Sequence, residues 1–240
     1  MLTFKNLTLG YDKHPAVHHL NANVEKGDTL AIVGPNGGGK STLIKSIVGL
    51  SKILDGKVEL SINKDKIAYL PQNSTIDKTF PISTFELIST GLWHKTGWFG
   101  NFKKEYINKI HDVICQVGLH GMENIPISAL SGGQMQRALF ARLILQNADL
   151  ILLDEPFNAV DYKTIQVLLN IIDSWKKENK TIISILHNYN QVFDHFDKTL
   201  IIAKEVVAFG KTSEVLTSEN INKAFSISTS PNENAAICTR

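Results

Sequence analysis

The sequence has few cysteines and no long apolar run. Its 240 residues include only Cys115 and Cys238, too few and too far apart for a C-x-x-C motif or a secreted disulfide framework. No window reaches the ~18 apolar residues of a membrane span, and the N-terminus lacks the regions of a signal peptide. We expect a chain that works in a reducing cytosol and does not cross a membrane by itself.

The sequence also lacks an excess of charge of one sign. Lysine and arginine number 25 and aspartate and glutamate 23, for a formal net charge of +2. Proteins that bind nucleic acid usually carry a basic patch, so no nucleic acid partner is expected. What the chain does have is an apolar fraction of 43% over 240 residues, which is enough for a core. We expect one globular unit with an inserted subdomain.

A glycine-rich loop lies between a predicted strand and a predicted helix. Residues 29–34 (TLAIVG) are a short apolar run, and apolar residues recur at helical spacing from 43 to 48. The loop between them fits the phosphate-binding pattern G-x-x-x-x-G-K-[ST]. Its residues are Gly34, Pro35, Asn36, Gly37, Gly38, Gly39, Lys40, Ser41 and Thr42.

This loop suits a phosphate chain for physical reasons. Glycines allow the backbone angles that turn several N–H groups inward, and a helix that begins near Lys40 adds the positive end of its dipole. Lys40 would neutralise the β- and γ-phosphates of a nucleotide, and the Ser41 hydroxyl would bind Mg²⁺. The alternative is a tight glycine turn before a helix.

A pair of acidic residues follows a second apolar run. Residues 150–153 predict a buried strand, so Asp154 emerges at its carboxyl end, where open α/β sheets bind their ligands. We predict that Asp154 binds magnesium and that Glu155 is the base that polarises the attacking water. The alternative is that both acids only cap a turn before Pro156.

The stretch LSGGQMQR raises the question of a second anion site. Ser131, Gly132 and Gly133 would present a hydroxyl and N–H groups at a helix start. An ordinary serine cap with Gln134 in a capping box would also explain the helix. The two loops could thus be two sites, one site or a coincidence.

The order of apolar patterns predicts three regions. Alternation predicts half-exposed antiparallel strands in residues 2–11 (LTFKNLTLGY), at Lys57–Asn63 and at Lys66–Pro71. Spacing predicts a helix over Lys103–Val117 that ends at Gly118. Strands alternate with helices beyond residue 147, as in a parallel sheet. We predict a β-subdomain and core at 1–75 and 147–225, a helical subdomain at 76–146, and a flexible tail at 226–240.

The phosphate loop, the Asp154–Glu155 pair and LSGGQ together resemble the ATP-binding subunits of ABC transporters, over almost the whole chain. The resemblance implies an α/β fold: a P-loop NTPase (RecA-like) core with an antiparallel β-subdomain and an inserted α-helical subdomain. It implies ATP hydrolysis with Mg²⁺ by two copies packed head to tail. Ser131, Gly132, Gly133 and Gln134 of one copy would then close over the γ-phosphate held by the other.

The resemblance assigns further roles near the phosphates. Tyr11 would stack on adenine, although a tyrosine that ends a strand often only packs. Gln72 would reach magnesium and the attacking water, although a glutamine in a loop is usually solvated. His187 would contact the γ-phosphate and orient Glu155.

The resemblance also covers the segment NAVD, in which Asp161 would contact nucleotide across the dimer. Asn158 stands where the family more often has serine, and Asn188 stands where it often has aspartate. Asn158 puts in question the cross-dimer hydrogen bond that the family forms there, whereas the neutral amide of Asn188 could still form a hydrogen bond.

The resemblance extends to the cargo. The FPIS element, the GWF stretch at 97–99 and the AFG stretch before two short helices are similar to the ATPases of zinc and manganese importers. This implies an integral membrane permease, a solute-binding protein, and a peripheral location on the cytoplasmic face of the membrane. Import of haem or an iron chelate stays open, as does a soluble ABC ATPase without a transport role, although a single cassette favours transport.

Two further groups of residues, six aromatic residues and three histidines, raise the questions of a docking surface and of a metal site. Six aromatic residues could dock the permease or form the core of the helical subdomain: Phe80, Phe85, Trp93, Trp98, Phe99 and Phe102. His14, His18 and His19 have poor spacing for metal ligands, so we expect no metal besides magnesium.

Overall fold

The computed structural model of the chain describes residues 1–11, 14–72, 77, 80–96 and 103–229. For residues 11, 14, 15, 96, 228 and 229 it describes the backbone alone. The strands are β1 (Leu2–Tyr11), β2 (His14–Val24), β3 (Thr29–Val33), β4 (Ile53–Leu60), β5 (Ile67–Leu70), β6 (Leu150–Asp154), β7 (Thr181–Ile185), β8 (Lys198–Ala203) and β9 (Glu205–Lys211). The helices are α1 (Lys40–Ile47), α2 (Thr84–Ser89), α3 (Trp93–Thr96), α4 (Lys104–Gln116), α5 (Gly132–Gln146), α6 (Tyr162–Lys177), α7 (Tyr189–His195), α8 (Thr212–Val215) and α9 (Ser218–Thr229).

The strands of the described residues form one sheet in the order β4-β1-β2-β9-β8-β3-β7-β6-β5. Its central part, from β8 to β5, is parallel, whereas β1 pairs antiparallel with both β2 and β4. This confirms the predicted α/β fold with an antiparallel part. One strand prediction was wrong: Lys66–Pro71 contains β5, which pairs parallel with β6 and is mostly buried. Its run Ile67–Leu70 is continuously apolar, as in a strand covered on both faces.

Two apolar cores lie on opposite faces of the parallel sheet. In β3, Leu30 and Ile32 pack with α1, whereas Ala31 and Val33 pack with the core that contains α5 and α6. Successive side chains of a strand point to opposite faces. The strand therefore has to be apolar throughout, and its end is fixed on both sides before the glycine-rich loop begins.

The chain between β5 and β6 is largely helical in its described part. The predicted helix over Lys103–Val117 is α4, and Gly118 follows its end with a φ of 69°. Of its apolar residues, Ile110, Val113 and Ile114 are buried, whereas Ile107 is 37% exposed. The predicted boundary at residue 226 was wrong, because α9 continues to Thr229.

The carboxyl ends of the parallel strands meet at one edge of the sheet. Strands β3, β5, β6 and β7 are neighbours or near neighbours, and each leads into a segment that carries predicted site residues. Parallel strands place such segments side by side. None of the helices in the described ranges is long and apolar enough to cross a membrane.

Candidate nucleotide site

The glycine-rich loop leads from β3 into α1, which begins at Lys40. Gly34 and Gly39 have φ angles of 145° and 93°, which favour glycine. A Cβ at Gly39 would overlap the carbonyl oxygen of Ala16. Gly39 also caps α1 without any side-chain hydrogen bond, so no side chain there competes with an anion for the N–H groups of the first turn.

Lys40 lies folded against the loop that precedes it. Its Nζ donates hydrogen bonds to the carbonyl oxygens of Gly34 at 2.9 Å and Pro35 at 2.8 Å. Burial lowers the pKa of Lys40, and the negative charges of Glu155 and Asp154 oppose that shift. The ammonium group is therefore held where it can exchange carbonyl partners for phosphate oxygens.

Ser41 and Asp154 meet beside the loop. The Ser41 hydroxyl donates to Asp154 Oδ1 at 3.0 Å, and the Asp154 side chain ends a buried strand. Burial raises the pKa of Asp154, against the hydrogen bond from Ser41. Its Oδ2 is buried without a hydrogen-bond partner. An unpartnered carboxylate oxygen beside a hydroxyl is a suitable ligand set for Mg²⁺, so these residues fit the predicted ion.

Glu155 lies between two other predicted catalytic residues. Its Oε2 accepts a hydrogen bond from Gln72 Nε2 at 2.6 Å, and its Oε1 lies 2.9 Å from His187 Nε2. Glu155 has a φ of 52°, and a left-handed conformation in a residue other than glycine costs about 1–3 kcal/mol. The fold thus holds Glu155 with a strained backbone, and each of its carboxylate oxygens contacts one partner, Gln72 or His187.

These residues line two adjoining clefts. The first, of about 270 Å³, is lined by the loop from Asn36 to Thr42, together with Ala16, Gln72 and Glu155. The second, of about 600 Å³, shares Asn36, Gln72 and Glu155 and extends along residues 157–159 and 185–188. The structure therefore brings the predicted phosphate and base residues together around two clefts that share lining residues, and Asp154 is linked to them through the hydroxyl of Ser41.

The LSGGQ segment, residues 130–134, which we call the signature loop, lies away from the two clefts. Ser131 caps α5 in a capping box: Gln134 N donates to Ser131 Oγ at 3.2 Å, and Ser131 N donates to Gln134 Oε1 at 2.8 Å. Among the residues that line the two clefts in the described part of the chain, Ser131, Gly132, Gly133 and Gln134 do not occur. The structure does not bring this loop to the phosphate loop of the same chain, and the predicted nucleotide contacts stay predictions.

Asp161 and the two unusual asparagines have local partners. Asp161 caps α6, with Oδ1 accepting from Thr164 N at 3.0 Å and Oδ2 from Thr164 Oγ1 at 2.7 Å. These bonds lower the pKa of Asp161. Asn188 Oδ1 caps α7 by accepting from Asn190 N at 3.0 Å, as an aspartate would. Asn158 is exposed, and its N–H donates to Glu155 O at 3.3 Å.

Sequence reasoning missed two contacts that support the site. Gln136 Nε2 donates to Pro156 O at 2.7 Å, and the Lys204 N–H donates to Gly38 O at 3.0 Å. A polar residue inside the mostly buried α5 was a signal for Gln136. No local pattern indicates Lys204, whose φ of 63° places it in a hairpin turn against the phosphate loop.

Several residues with predicted roles line neither cleft or lie outside the described residues. The side chains of Tyr11 and His14 are outside the described residues, as are Trp98, Phe99, Phe102, the GWF stretch, Cys238 and the tail from residue 230. Phe85 packs against the core, whereas Phe80 is 59% exposed and Trp93 39% exposed. His19 Nδ1 lies 2.9 Å from Asn6 Oδ1. The described residues contain no group of three or more side chains suited to a metal ion.

Comparisons with known proteins show the family of the chain. A sequence profile of the ABC transporter family matches residues 17–158. The manganese transport system ATP-binding protein MntB of Bacillus subtilis (strain 168) is 34% identical, over 92% of this chain and 90% of that protein. The zinc transport system ATP-binding protein TroB of Treponema pallidum (strain Nichols) is also 34% identical, over 92% of this chain and 85% of that protein.

A solved structure shows the same fold. It is an ABC transporter in an inward-facing conformation, provisionally assigned to the metal-chelate type, which is 31% identical with a TM-score of 0.82. The match covers 94% of this chain and 88% of that one. The resemblance that LSGGQ and the phosphate loop indicated is thus confirmed. The chain belongs to the ABC transporter family, as one of its ATP-hydrolysing subunits.

Proposed function

We propose that this chain binds and hydrolyses Mg-ATP to drive import of a divalent metal ion, zinc or manganese, through a separate membrane permease. The observation that carries the ATPase part is the position of Glu155, whose two carboxylate oxygens meet Gln72 and His187 at the edge of the phosphate-loop cleft. A general base has to lie within hydrogen-bond reach of the water that it activates. The cargo is supported by the names of the relatives.

Nucleotide binding would follow from the phosphate loop. Lys40 would leave the carbonyl oxygens of Gly34 and Pro35 for the β- and γ-phosphates, and the N–H groups from Gly37 to Thr42 would face the same anion. Tyr11 ends β1, and we keep the proposal that its ring stacks on adenine. ATP would therefore lie along the smaller cleft.

Ser41, Asp154 and Gln72 would hold Mg²⁺. The support is the buried, unpartnered Oδ2 of Asp154 and the Ser41 hydroxyl beside it. The ion, when bound, neutralises negative charge on the β- and γ-phosphates. Oxygen ligands are those that Mg²⁺ prefers, and the amide of Gln72 offers one through its carbonyl oxygen.

Glu155 would accept the proton of the attacking water. Gln72 now donates to one of its oxygens, and His187 lies at hydrogen-bond distance from the other. Each carboxylate oxygen can accept a second hydrogen bond, so Glu155 can also take one from a water molecule. We propose that Gln72 turns to the ion and the water while His187 keeps Glu155 in place and faces the γ-phosphate.

Two copies would complete two sites. Ser131 and Gly132 are exposed at the start of α5, and cassettes with this fold have been solved as dimers. We propose that Ser131–Gln134, with Asp161, contact the nucleotide of the partner copy. The chain would move as two parts, residues 76–146 against 1–75 and 147–225, and this motion would redirect Gln72.

The cargo and the partners are proposed from the relatives. Those named above are ATP-binding proteins of manganese and zinc transport systems. We propose that this chain lies on the cytoplasmic face of the membrane through an integral permease, and that a solute-binding protein delivers the metal. The exposed ring of Phe80, close in sequence to Gln72, is a proposed contact with the permease.

A second cargo is favoured by one observation. The solved transporter that is 31% identical to this chain is assigned to the metal-chelate type. An iron chelate or haem is therefore the alternative. The nucleotide site would be the same in both cases, because none of its residues would contact the cargo.

The test is the metal content of cells. Cells that lack this chain, and in which other uptake routes are removed, would be grown under metal limitation and complemented with wild type or with Glu155→Gln. Elemental mass spectrometry would report zinc, manganese and iron. A deficit in zinc or manganese that wild type repairs and Glu155→Gln does not would support the proposal.

Two other outcomes have clear meanings. A deficit in iron alone would favour the chelate or haem alternative. No deficit in any of the three metals would contradict the metal cargo while leaving ATP hydrolysis untouched. Glu178→Gln provides the matched control, because Glu178 is an exposed glutamate at the end of α6, outside both clefts.

A further inference from the structure

One hydrogen bond joins the signature helix to the catalytic turn of the same chain. Gln136 lies in the first turns of α5 and is half-buried, and its Nε2 donates to the carbonyl oxygen of Pro156 at 2.7 Å. Pro156 is buried and follows Glu155 directly. Gln136 is therefore bonded to the residue that directly follows the proposed base.

The turn at Glu155 needs such support. Glu155 has a φ of 52°, and conformations of this kind persist only when their surroundings over-determine them. Pro156 has no N–H with which to anchor the turn. The hydrogen bond from Asn158 N to Glu155 O is long, at 3.3 Å. The bond from Gln136, at 2.7 Å, is the shorter of these two bonds to backbone carbonyl oxygens of the turn.

The same helix carries the signature loop. Gln136 is five residues from Ser131, which is about 7.5 Å along a helix. A Cβ at Gly133 would lie 3.0 Å from Asp161 Oδ2 and 3.1 Å from Thr164 Oγ1. The start of α5 is therefore in contact with the start of α6 and with the turn after Glu155. A displacement of the signature loop has a direct path to Pro156.

We propose that Gln136 is a positioning residue that holds Glu155 of its own chain and couples it to the signature loop of that chain. This rests on the proposed function, in which Glu155 is the base and the signature loop contacts the partner's nucleotide. Closure of the loop on one nucleotide would then set the base at the other. The two sites of the dimer would be coupled through α5 of each copy.

The test compares two glutamines of α5. Gln136→Met removes the amide donor without adding charge. Gln146→Met is the matched control, because Gln146 lies at the far end of the same helix. Its Nε2 also donates to a backbone carbonyl oxygen, that of Ile67, but over a long distance of 3.5 Å. Turnover and the KM for ATP would be measured for both variants of the full chain. ATP-driven dimerisation would be measured after each variant is combined with Glu155→Gln.

We expect turnover of Gln136→Met to fall about 10-fold or more, because a base displaced by a fraction of an ångström activates water poorly. The KM for ATP and the dimerisation should change little, and Gln146→Met should behave like wild type. Unchanged turnover in Gln136→Met would overturn the inference. A loss of dimerisation equal to the loss of turnover would also overturn it, since Gln136 would then serve only the signature loop.

A second variant covers the case in which Gln136→Met does not fold. Gln136→Glu keeps the shape but cannot donate a hydrogen bond when ionised. Its turnover relative to wild type should rise as pH falls and the carboxyl gains a proton, whereas Gln146→Glu should show no such trend. A ratio that is independent of pH would overturn the inference. If Glu155→Gln itself hydrolysed ATP like wild type, the proposed function would fail instead.

Discussion

The two glycine-containing loops of this chain differ in how much of a site surrounds them. The phosphate loop is surrounded by its partners: Lys40, Ser41 and Glu155 line one cleft, and the Ser41 hydroxyl donates to Asp154. The signature loop lies outside both clefts among the described residues. Its serine and glutamine bond each other in a capping box, and Ser131 and Gly132 are exposed.

The difference separates what one chain can do from what needs two. The residues proposed to bind phosphate and to hold the base belong to one sheet edge and are brought together by folding alone. The signature loop has the N–H groups of a helix start, but in the described part of the chain its residues line neither cleft. The comparison predicts that changes in the first region affect a single chain, whereas changes in the second affect only the assembled pair.

The largest effect is expected from Glu155→Gln. Loss of the base should lower turnover by about 10²–10⁴-fold, while ATP affinity stays near that of wild type because the phosphate loop is intact. Steady-state hydrolysis and equilibrium binding of ATP by the same preparation would check this. Retention of more than a tenth of the wild-type turnover would show that another group takes the proton.

Ser131→Ala should lower turnover by about 10²-fold, as loss of one preorganised donor does, and leave ATP binding by the single chain unchanged. It also removes the cap of α5, which costs about 1 kcal/mol of stability. Ser83→Ala controls for that cost, because Ser83 forms the same capping box at the start of α2. If both variants lost turnover equally, the effect of Ser131 would be one of stability.

Lys40→Met should weaken ATP binding by the single chain by about 1.5–3 kcal/mol, the worth of a hydrogen bond to a charged group. This is the reverse of the pattern for Ser131→Ala. Titration of ATP into dilute protein, below the concentration at which copies associate, would measure it. Equal ATP affinities for Lys40→Met and wild type would contradict the proposal that Lys40 binds the phosphates of ATP.

The smallest effect is on stability and its pH dependence. Burial raises the pKa of Asp154, so the folded chain holds this proton more tightly than the unfolded chain. The associated stability is fully present below the ordinary carboxyl pKa and is lost as pH rises through the raised value. In magnesium-free buffer at neutral pH, Asp154→Asn should therefore stabilise the chain, by about 1–3 kcal/mol.

Thermal melting at several pH values would measure that difference. Wild type and Asp154→Asn should converge at low pH, where Asp154 is protonated in both the folded and the unfolded chain. A variant that melts below wild type at neutral pH would indicate that Asp154 is satisfied in the fold, contrary to its unpartnered Oδ2.

The elements that local sequence specifies were predictable. The apolar run before Gly34, the glycines with positive φ and the helix at Lys40 all depend on neighbours in sequence. The same is true of Ser131 and Gln134, whose spacing is that of a capping box. The motifs of the nucleotide site could therefore be located from the order of the residues alone.

Features set by packing between distant segments could not be predicted. The parallel pairing of β5 with β6 joins Tyr69 and Leu152, and nothing near Tyr69 specifies that partner. The bond from Gln136 to Pro156 and the strained backbone of Glu155 likewise depend on how α5 lies against the sheet edge. The sequence showed which residues form the site but not what holds Glu155 in place.

The most direct test of the account is the mass in solution of Glu155→Gln with and without a second change, Gly132→Asp. Gly132 is exposed at the start of α5, and among the described residues the atom nearest to a Cβ there would be Ala159 O, at 3.8 Å. An acid there suits the helix dipole but would repel a γ-phosphate.

With saturating Mg-ATP, light scattering should show twice the single-chain mass for Glu155→Gln and the single-chain mass for the double variant, which should still bind ATP with the same affinity. A double variant that pairs normally, or that loses ATP affinity as a single chain, would contradict the assignment of the signature loop to the partner's nucleotide.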